Sequence, residues 1–301
     1  RYCPLVHRPP ALVGTTQGPF MKILVTGGSG QLGLALQRQS GSHHLFAFDH
    51  SNLDITDAVQ IAEVFAGEMP DAVINCAAWT NVDACEGDPE KAMLVNGTAV
   101  GVLASEATKA GARFVQISTD YVFDGTKEGP YFEDDIPNPL SVYGKSKLLG
   151  EQLAGPDALI VRTSWVMGPD GQNMLKTILR LLNGPDDLYF VDDQWGCPTF
   201  ADDLASAVIT FIEKKVSGLV HVTNTGVVSW YQFACEIALA VGLNPNRIHP
   251  VSTASLNPPR PASRPANSVL GNHRLRSLGV SKLPPHLGAL RSTITTDTVF
   301  L

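Results

Sequence analysis

Cysteine is scarce and scattered. Cys3, Cys76, Cys85, Cys197 and Cys235 form no C-x-x-C pair and have no histidines at zinc spacing. That excludes a disulfide-stapled scaffold or a structural zinc module, and the thiols read as buried or incidental ones of a reducing compartment. Long apolar runs are also missing: none approaches the roughly 20 residues that a membrane span requires. Basic residues are the minority, 22 Lys and Arg against 29 Asp and Glu, for a formal net charge of −7. Such a chain has no broad cationic face for nucleic acid or an anionic membrane. Charged residues reach only 17% and hydrophobic ones 44%, which excludes the composition of a disordered chain. Repeats and low-complexity tracts are absent as well. What remains is a cytoplasmic globular protein, large enough at 301 residues for two domains or one large α/β domain.

Residues 1–20 differ from the rest. Pro and Gly interrupt each short apolar run, and Pro9-Pro10 spoils a signal peptide. This stretch reads as a non-native leader, with Met21 as the true start. From Met21 onward, short apolar runs at 22–26, 45–49, 71–75, 113–118 and 159–162 alternate with helical patterns at 31–39, 57–66, 91–110 and 140–153. Strands that are apolar throughout and separated by helices predict a parallel sheet covered on both faces, in a Rossmann-type doubly wound α/β fold. The dinucleotide-binding domain is assigned to 21–165. After about Val166 the alternation loosens: strands are expected at 188–191 and 220–223, helices at 173–182 and 230–241. Residues 166–301 are therefore assigned to a smaller α/β substrate lobe, interleaved with the first domain.

The first strand runs directly into Thr26-Gly27-Gly28-Ser29-Gly30-Gln31-Leu32-Gly33 and then a helix. Glycines three apart let the backbone turn tightly, approach a pyrophosphate and pack helix against strand. The candidate cofactor residues here are Gly27, Gly30, Gln31, Leu32 and Gly33. An acidic residue is expected about 20 residues further on, and Asp49 supplies it. A carboxylate there would hydrogen-bond the adenosine ribose and lean towards NADH. His50 and Ser51 beside it could receive a 2′-phosphate, so the choice between NADH and NADPH stays open at this point. Asp54 and Ile55 are placed near the adenine, though the same segment could simply cap a helix. Ala77, Ala78 and Thr80, after strand three, are small residues against which a cofactor could lie. Asn96 sits mid-helix, where Asn is a poor helix former, and points to a buried structural hydrogen bond near the site.

Thr119 and Asp120 end the fourth strand. Tyr143 and Lys147 follow, four apart on one helix face and about 6 Å apart at Cβ. An ammonium that close is expected to lower a phenol pKa that is about 10 when unperturbed. The tyrosine could then exchange a proton with an alcohol or ketone. The order of glycine loop, strand-end Thr and Tyr-x-x-x-Lys carries more weight than any one of these.

With these residues in hand, the chain resembles the extended short-chain dehydrogenase/reductases, and within them the dTDP-4-dehydrorhamnose reductase family. The resemblance rests on residues 27–33, 75–80, 118–125, 143–147, 162–165, 193–199, 228–230 and 264–268, and covers Met21 to about Leu290. It implies Thr119, Tyr143 and Lys147 as catalytic residues. It also implies that Asp120, Tyr121 and Trp165 lie against a sugar, and that NADPH (NADH as alternative) reduces the C4 ketone of a nucleotide sugar. Asn173, Arg260 and Arg264 would suit the diphosphate. Members with a metal-bridged dimer carry an acidic residue two positions after the last loop glycine. Ala35 stands there, so no metal is assigned, and a monomer or plain homodimer is expected. Met167 replaces a usual aromatic residue. Two rival readings share the motifs: a regulatory subunit resembling methionine adenosyltransferase β, and another nucleotide-sugar enzyme, an epimerase or dehydratase. Gln31 and Trp165 favour the reductase over the former.

Overall fold

The computed structural model describes residues 20–296, so the leader assignment lies outside the described residues except for Phe20. Strands β1 (Lys22–Thr26), β2 (His44–Phe48), β3 (Ala72–Asn75), β4 (Arg113–Thr119) and β5 (Leu159–Thr163) fall within a residue or so of the expected runs. The sixth strand, β6 (Gly218–His221), begins two residues earlier than expected. They form one sheet in the order β2-β1-β3-β4-β5-β6, every pair parallel. Strand order reverses between β1 and β3, the crevice in which doubly wound sheets bind ligands.

Helices cover both faces, as continuously apolar strands require. On one face lie α1 (Gln31–Gln39) and a helix from the second half of the chain, Ala201–Glu213; they share a core with Ile23, Val25, Ile74, Val161 and Val220. Ala35, fully buried, is part of this contact. On the other face, α2 (Ala58–Glu68) and α3 (Ala99–Ala110) close over Leu24, Val73, Phe114 and Ile160. The helix α4 (Val142–Leu153) packs beside them. The long helix expected over 91–110 is interrupted: residues Leu94–Thr98 form a π-helical turn before α3 begins. A third core gathers Met167, Leu175, Phe200, Phe233, Ile237 and Leu290. It is organised by short strand pairs, Leu188–Val191 with Ile248–Val251 and Trp195–Gly196 with Val228–Ser229. The chain after Val166 thus builds its own core and returns to the sheet one strand and two helices, Ala201–Glu213 and the short His273–Ser277, whose Leu275 joins the sheet core. Helix His286–Thr296 continues through the segment after Leu290.

Candidate active site

The glycine loop stands at the carboxyl end of β1. Gly27 has φ +68, and a Cβ there would lie 2.7 Å from the Ala77 backbone N. Its carbonyl accepts the Gly30 amide at 3.0 Å. A Cβ at Gly33 would sit 2.4 Å from that same carbonyl oxygen, so Gly33 lets α1 close onto the strand. Gly30 is exposed and would meet only one atom, at 3.2 Å. No side chain caps α1, and first-turn amides have no partner inside a helix. A positive helix end beside an open glycine corner suits a pyrophosphate. Leu32 contributes only backbone here, since its side chain is in the core.

Asp49, just beyond β2, has a carboxylate oxygen that accepts from Ser51 N at 2.9 Å and Ser51 Oγ at 2.5 Å, which holds its pKa below the ordinary value. Asp54 makes the same turn with Thr56, at 2.9 and 2.8 Å. Asp57 caps α2. Ile55 is buried among Leu53, Ile61 and Phe65, so only its backbone can face a ligand. Ala77 and Ala78 are half-buried beyond β3, and Thr80 is exposed. Beneath the loop, Thr26 Oγ1 donates to Asn75 Oδ1 at 2.5 Å, and Asn75 Nδ2 donates to Gln116 Oε1 at 2.7 Å. This buried relay ties β1, β3 and β4 together.

Asn96 lies in the π-helical turn. Its Oδ1 accepts Trp79 N at 2.8 Å, and its Nδ2 donates to Trp79 O and to Ser146 Oγ, each at 3.0 Å. Ser146 in turn donates to Tyr143 O at 2.8 Å. The amide therefore clamps the loop after β3 to the helix carrying Tyr143. Gly150 permits the approach, because a Cβ there would lie 2.3 Å from Asn96 O.

Ser141 caps α4, accepting from Gly144 N at 3.1 Å, which places Tyr143 and Lys147 in its first two turns. Lys147 is buried and donates to Ile117 O at 2.6 Å; burial pushes its pKa down to about 8. Thr119 donates to Asp120 Oδ1 at 2.9 Å and lies against the Tyr143 hydroxyl. The structure corrects one expectation: the Tyr143 pKa is raised, not lowered. Burial is the largest cause, and the Thr119 hydrogen bond only partly opposes it. A proximity argument from Lys147 alone misses this desolvation.

Asp120 is buried with its Oδ2 unpartnered among the described residues, and burial pushes its pKa up to about 6. Tyr121 packs edge-on against Tyr143, ring centroids 5.6 Å apart. Trp165 takes a left-handed backbone, φ +48, and stacks on Trp230 with centroids 3.6 Å apart. A Cβ at Gly196 would lie 2.5 Å from its indole. Trp165 is thus more enclosed than a free aromatic wall, and sequence reasoning missed the partner Trp230.

All three diphosphate candidates have partners within the protein. Asn173 caps helix Met174–Leu182, accepting Lys176 N at 3.0 Å. Its Nδ2 donates to Gln31 Oε1 at 3.0 Å and Gly168 O at 2.9 Å, which links the glycine loop to the second lobe. Arg264 makes a bidentate pair with Asp83, at 3.0 and 2.8 Å, and Arg260 lies 3.6 Å from the same carboxylate. These arginines face an acid, contrary to the reading as free phosphate ligands. Asp83, far away in sequence, gave no signal that it would be their partner.

The family model for the RmlD substrate binding domain matches residues 21–299. The chain belongs to this family. The RmlD match also takes in the segment after Leu290, where the sequence resemblance had ended. Among relatives, a dTDP-4-dehydrorhamnose reductase of Burkholderia thailandensis is 42% identical over 286 residues, covering 88% of this chain and 95% of its own. The spore coat polysaccharide biosynthesis protein SpsK of Bacillus subtilis is 42% identical over 264 residues, 86% of this chain and 92% of its own. A crystal structure of the Bacillus anthracis dTDP-4-dehydrorhamnose reductase in complex with NADP superimposes with a TM-score of 0.89 at 34% identity, covering 93% of this chain and 100% of that one. The Clostridium acetobutylicum orthologue gives 0.88 at 41% identity, covering 92% and 99%.

Proposed function

We propose that this protein reduces the C4 ketone of dTDP-4-dehydro-L-rhamnose to the alcohol, giving dTDP-L-rhamnose. The carrying observation is the convergence of an open glycine corner, at the sheet's reversal point, with buried Thr119, Tyr143 and Lys147. NADPH, the better fit by kinship with the Bacillus anthracis reductase whose structure holds NADP, supplies the hydride when bound. The amides of residues 27–33, the turn at Asp49 and the backbone at Asp54 and Ile55 would hold its phosphate and adenosine ends. Ala77, Ala78 and Thr80 would line its path, with Asn96 fixing that loop. Tyr143 gives its proton to the ketone oxygen as that oxygen becomes an alkoxide, and solvent reprotonates the phenol. Thr119 shares a hydrogen bond with the same oxygen, and the Lys147 cation favours the transient phenolate. Asp120 Oδ2, an unpartnered buried acceptor, would take a sugar hydroxyl, with Tyr121 beside it and Trp165 at the rim.

Residues 166–301 are proposed as the substrate-side lobe. There Asn173 would act by holding Gln31 and the glycine loop rather than by touching phosphate. The cytoplasm is the proposed compartment: the described cysteines are unpaired, and no helix among the described residues is long and apolar enough to cross a membrane. The nucleotide sugar is the proposed partner, for a monomer or homodimer. To test this, dTDP-4-dehydro-L-rhamnose is generated in situ and loss of nicotinamide absorbance is followed with NADPH and NADH. Turnover is expected, and Tyr143→Phe abolishes it while the cofactor still binds. No oxidation with either cofactor would sink the enzyme reading and favour a regulatory role.

A further inference from the structure

One buried ionic group next to the catalytic helix has no part in the scheme so far. Glu151 lies one turn beyond Lys147 on α4, so Tyr143, Lys147 and Glu151 repeat every four residues along one face. Its Oε1 accepts from Ser118 Oγ at 2.5 Å and from Arg162 Nε at 2.8 Å, and its Oε2 accepts from Arg162 Nη2 at 2.6 Å. The side chains of Glu151 and Arg162 are 8% and 3% exposed, so this fork-to-fork pair is out of water. Ser118 and Arg162 face each other in register on β4 and β5, and His221 faces Arg162 on β6. Ser118 also follows Ile117, whose carbonyl holds the Lys147 ammonium. Two successive turns of α4 are therefore fastened to two successive residues of β4.

We propose that Glu151, clamped by Ser118 and Arg162, is a positioning residue for Lys147. The clamp docks α4 on β4 and β5, and its carboxylate supplies the negative charge that balances the buried Lys147 ammonium. A buried lysine with no such neighbour sheds its proton easily. Around Lys147 the titratable groups are Tyr143 and Glu151 on its own helix and Cys76 beyond β3, while Arg162 on β5 reaches it only through Glu151. Of these, Glu151 favours the charged lysine and burial opposes it, while burial keeps the Cys76 thiol protonated and uncharged. Arg162 neutralises the carboxylate in part, yet it stands on the further strand, so the field at Lys147 stays negative. The catalytic use of Lys147 rests on the proposed reductase reading; the clamp and its effect on the amine do not.

The discriminating measurement is the titration of Lys147 in cofactor-free protein carrying [13Cε]lysine, its resonance assigned by its loss in Lys147→Arg. Glu151→Gln removes the negative charge and leaves Arg162 positive, so the Lys147 pKa should fall by about one unit or more. Arg162→Met leaves Glu151 unopposed, so the pKa should rise. If turnover is confirmed, the alkaline limb of kcat/KM should move in the same two opposite directions. Because Glu151→Gln strands a buried cation and could fold poorly, the doubly neutral Glu151→Gln/Arg162→Met protein serves as the second variant. Its Lys147 should titrate below wild type but above Glu151→Gln. Equal titration in all folded variants, a shift of one sign in both single variants, or a double variant at or above wild type would each overturn the proposal. An altered titration without any reductase activity would support the clamp and count against the proposed reaction instead.

Discussion

Replacing Asn96 by Ala tests how the site is held together. The side chain makes three hydrogen bonds, two to Trp79 backbone atoms and one to Ser146 Oγ. Ser146 keeps its bond to Tyr143 O, so the substitution strands the Trp79 N–H and leaves the Trp79 C=O with only the weak Cys85 thiol donor, at 3.7 Å. A buried group left unpaired costs about 1–3 kcal/mol. Trp79 is only half-buried, so water can relieve part of this, and the expected loss is about 1–3 kcal/mol. Urea unfolding of cofactor-free protein reads the change as a lower midpoint at unchanged slope. Asn96→Asp is the sharper variant, because it is nearly isosteric. It keeps an acceptor for Trp79 N but turns a second oxygen towards Trp79 O and Ser146. It should destabilise at neutral pH at least as much as the alanine variant. An Asn96→Asp protein as stable as wild type would refute the reasoning, since neither amide donor would then be needed.

Two further outcomes follow from the geometry. Gly30→Ala should fold normally and lose cofactor affinity, because the new methyl meets only one atom of the protein and enters the open corner; Gly33→Ala should lower the unfolding midpoint, because its methyl would overlap the Gly27 carbonyl. Thermal melts beside fluorescence titration with NADPH separate the two, and a fully stable Gly33→Ala protein would contradict the packing role. Asp120 has a folded pKa raised to about 6 by burial. The stability its protonated form contributes is present below the unfolded pKa of about 4 and lost as pH rises through 6. The stability of Asp120→Asn relative to wild type should therefore increase across that interval, and a pH-independent difference would show that the carboxyl is not desolvated.

Much of this was legible in local pattern. Strand runs, the glycine spacing and the Tyr-x-x-x-Lys pair are features of a few neighbouring residues, so β1, α1 and the first turns of α4 stand where expected. The π-helical turn at Leu94–Thr98 was not legible, because its cause is tertiary: α4 approaches closely at Gly97 and Gly150. The resemblance placed Trp165 against a sugar, but sequence cannot show Trp230 stacked on it. Arg264 looked free because Asp83 lies 181 residues away. The direction of the Tyr143 shift went the wrong way because spacing along a helix reports charge proximity and says nothing about burial.

The sequence by itself determined the parallel sheet and the glycine turn after its first strand, and it supplied the Thr, Tyr and Lys to which the proposed function assigns the proton transfer. These depend on backbone conformation and on intervals of a few residues, which the chain carries locally. Only the tertiary structure decided which polar groups are spent on one another and which remain for a ligand. Asn173 goes to Gln31, Arg264 to Asp83 and Glu151 to Arg162, while Asp120 Oδ2 is left over. Each of those pairings is made between distant segments or adjacent layers, where buried groups must find partners within hydrogen-bond reach.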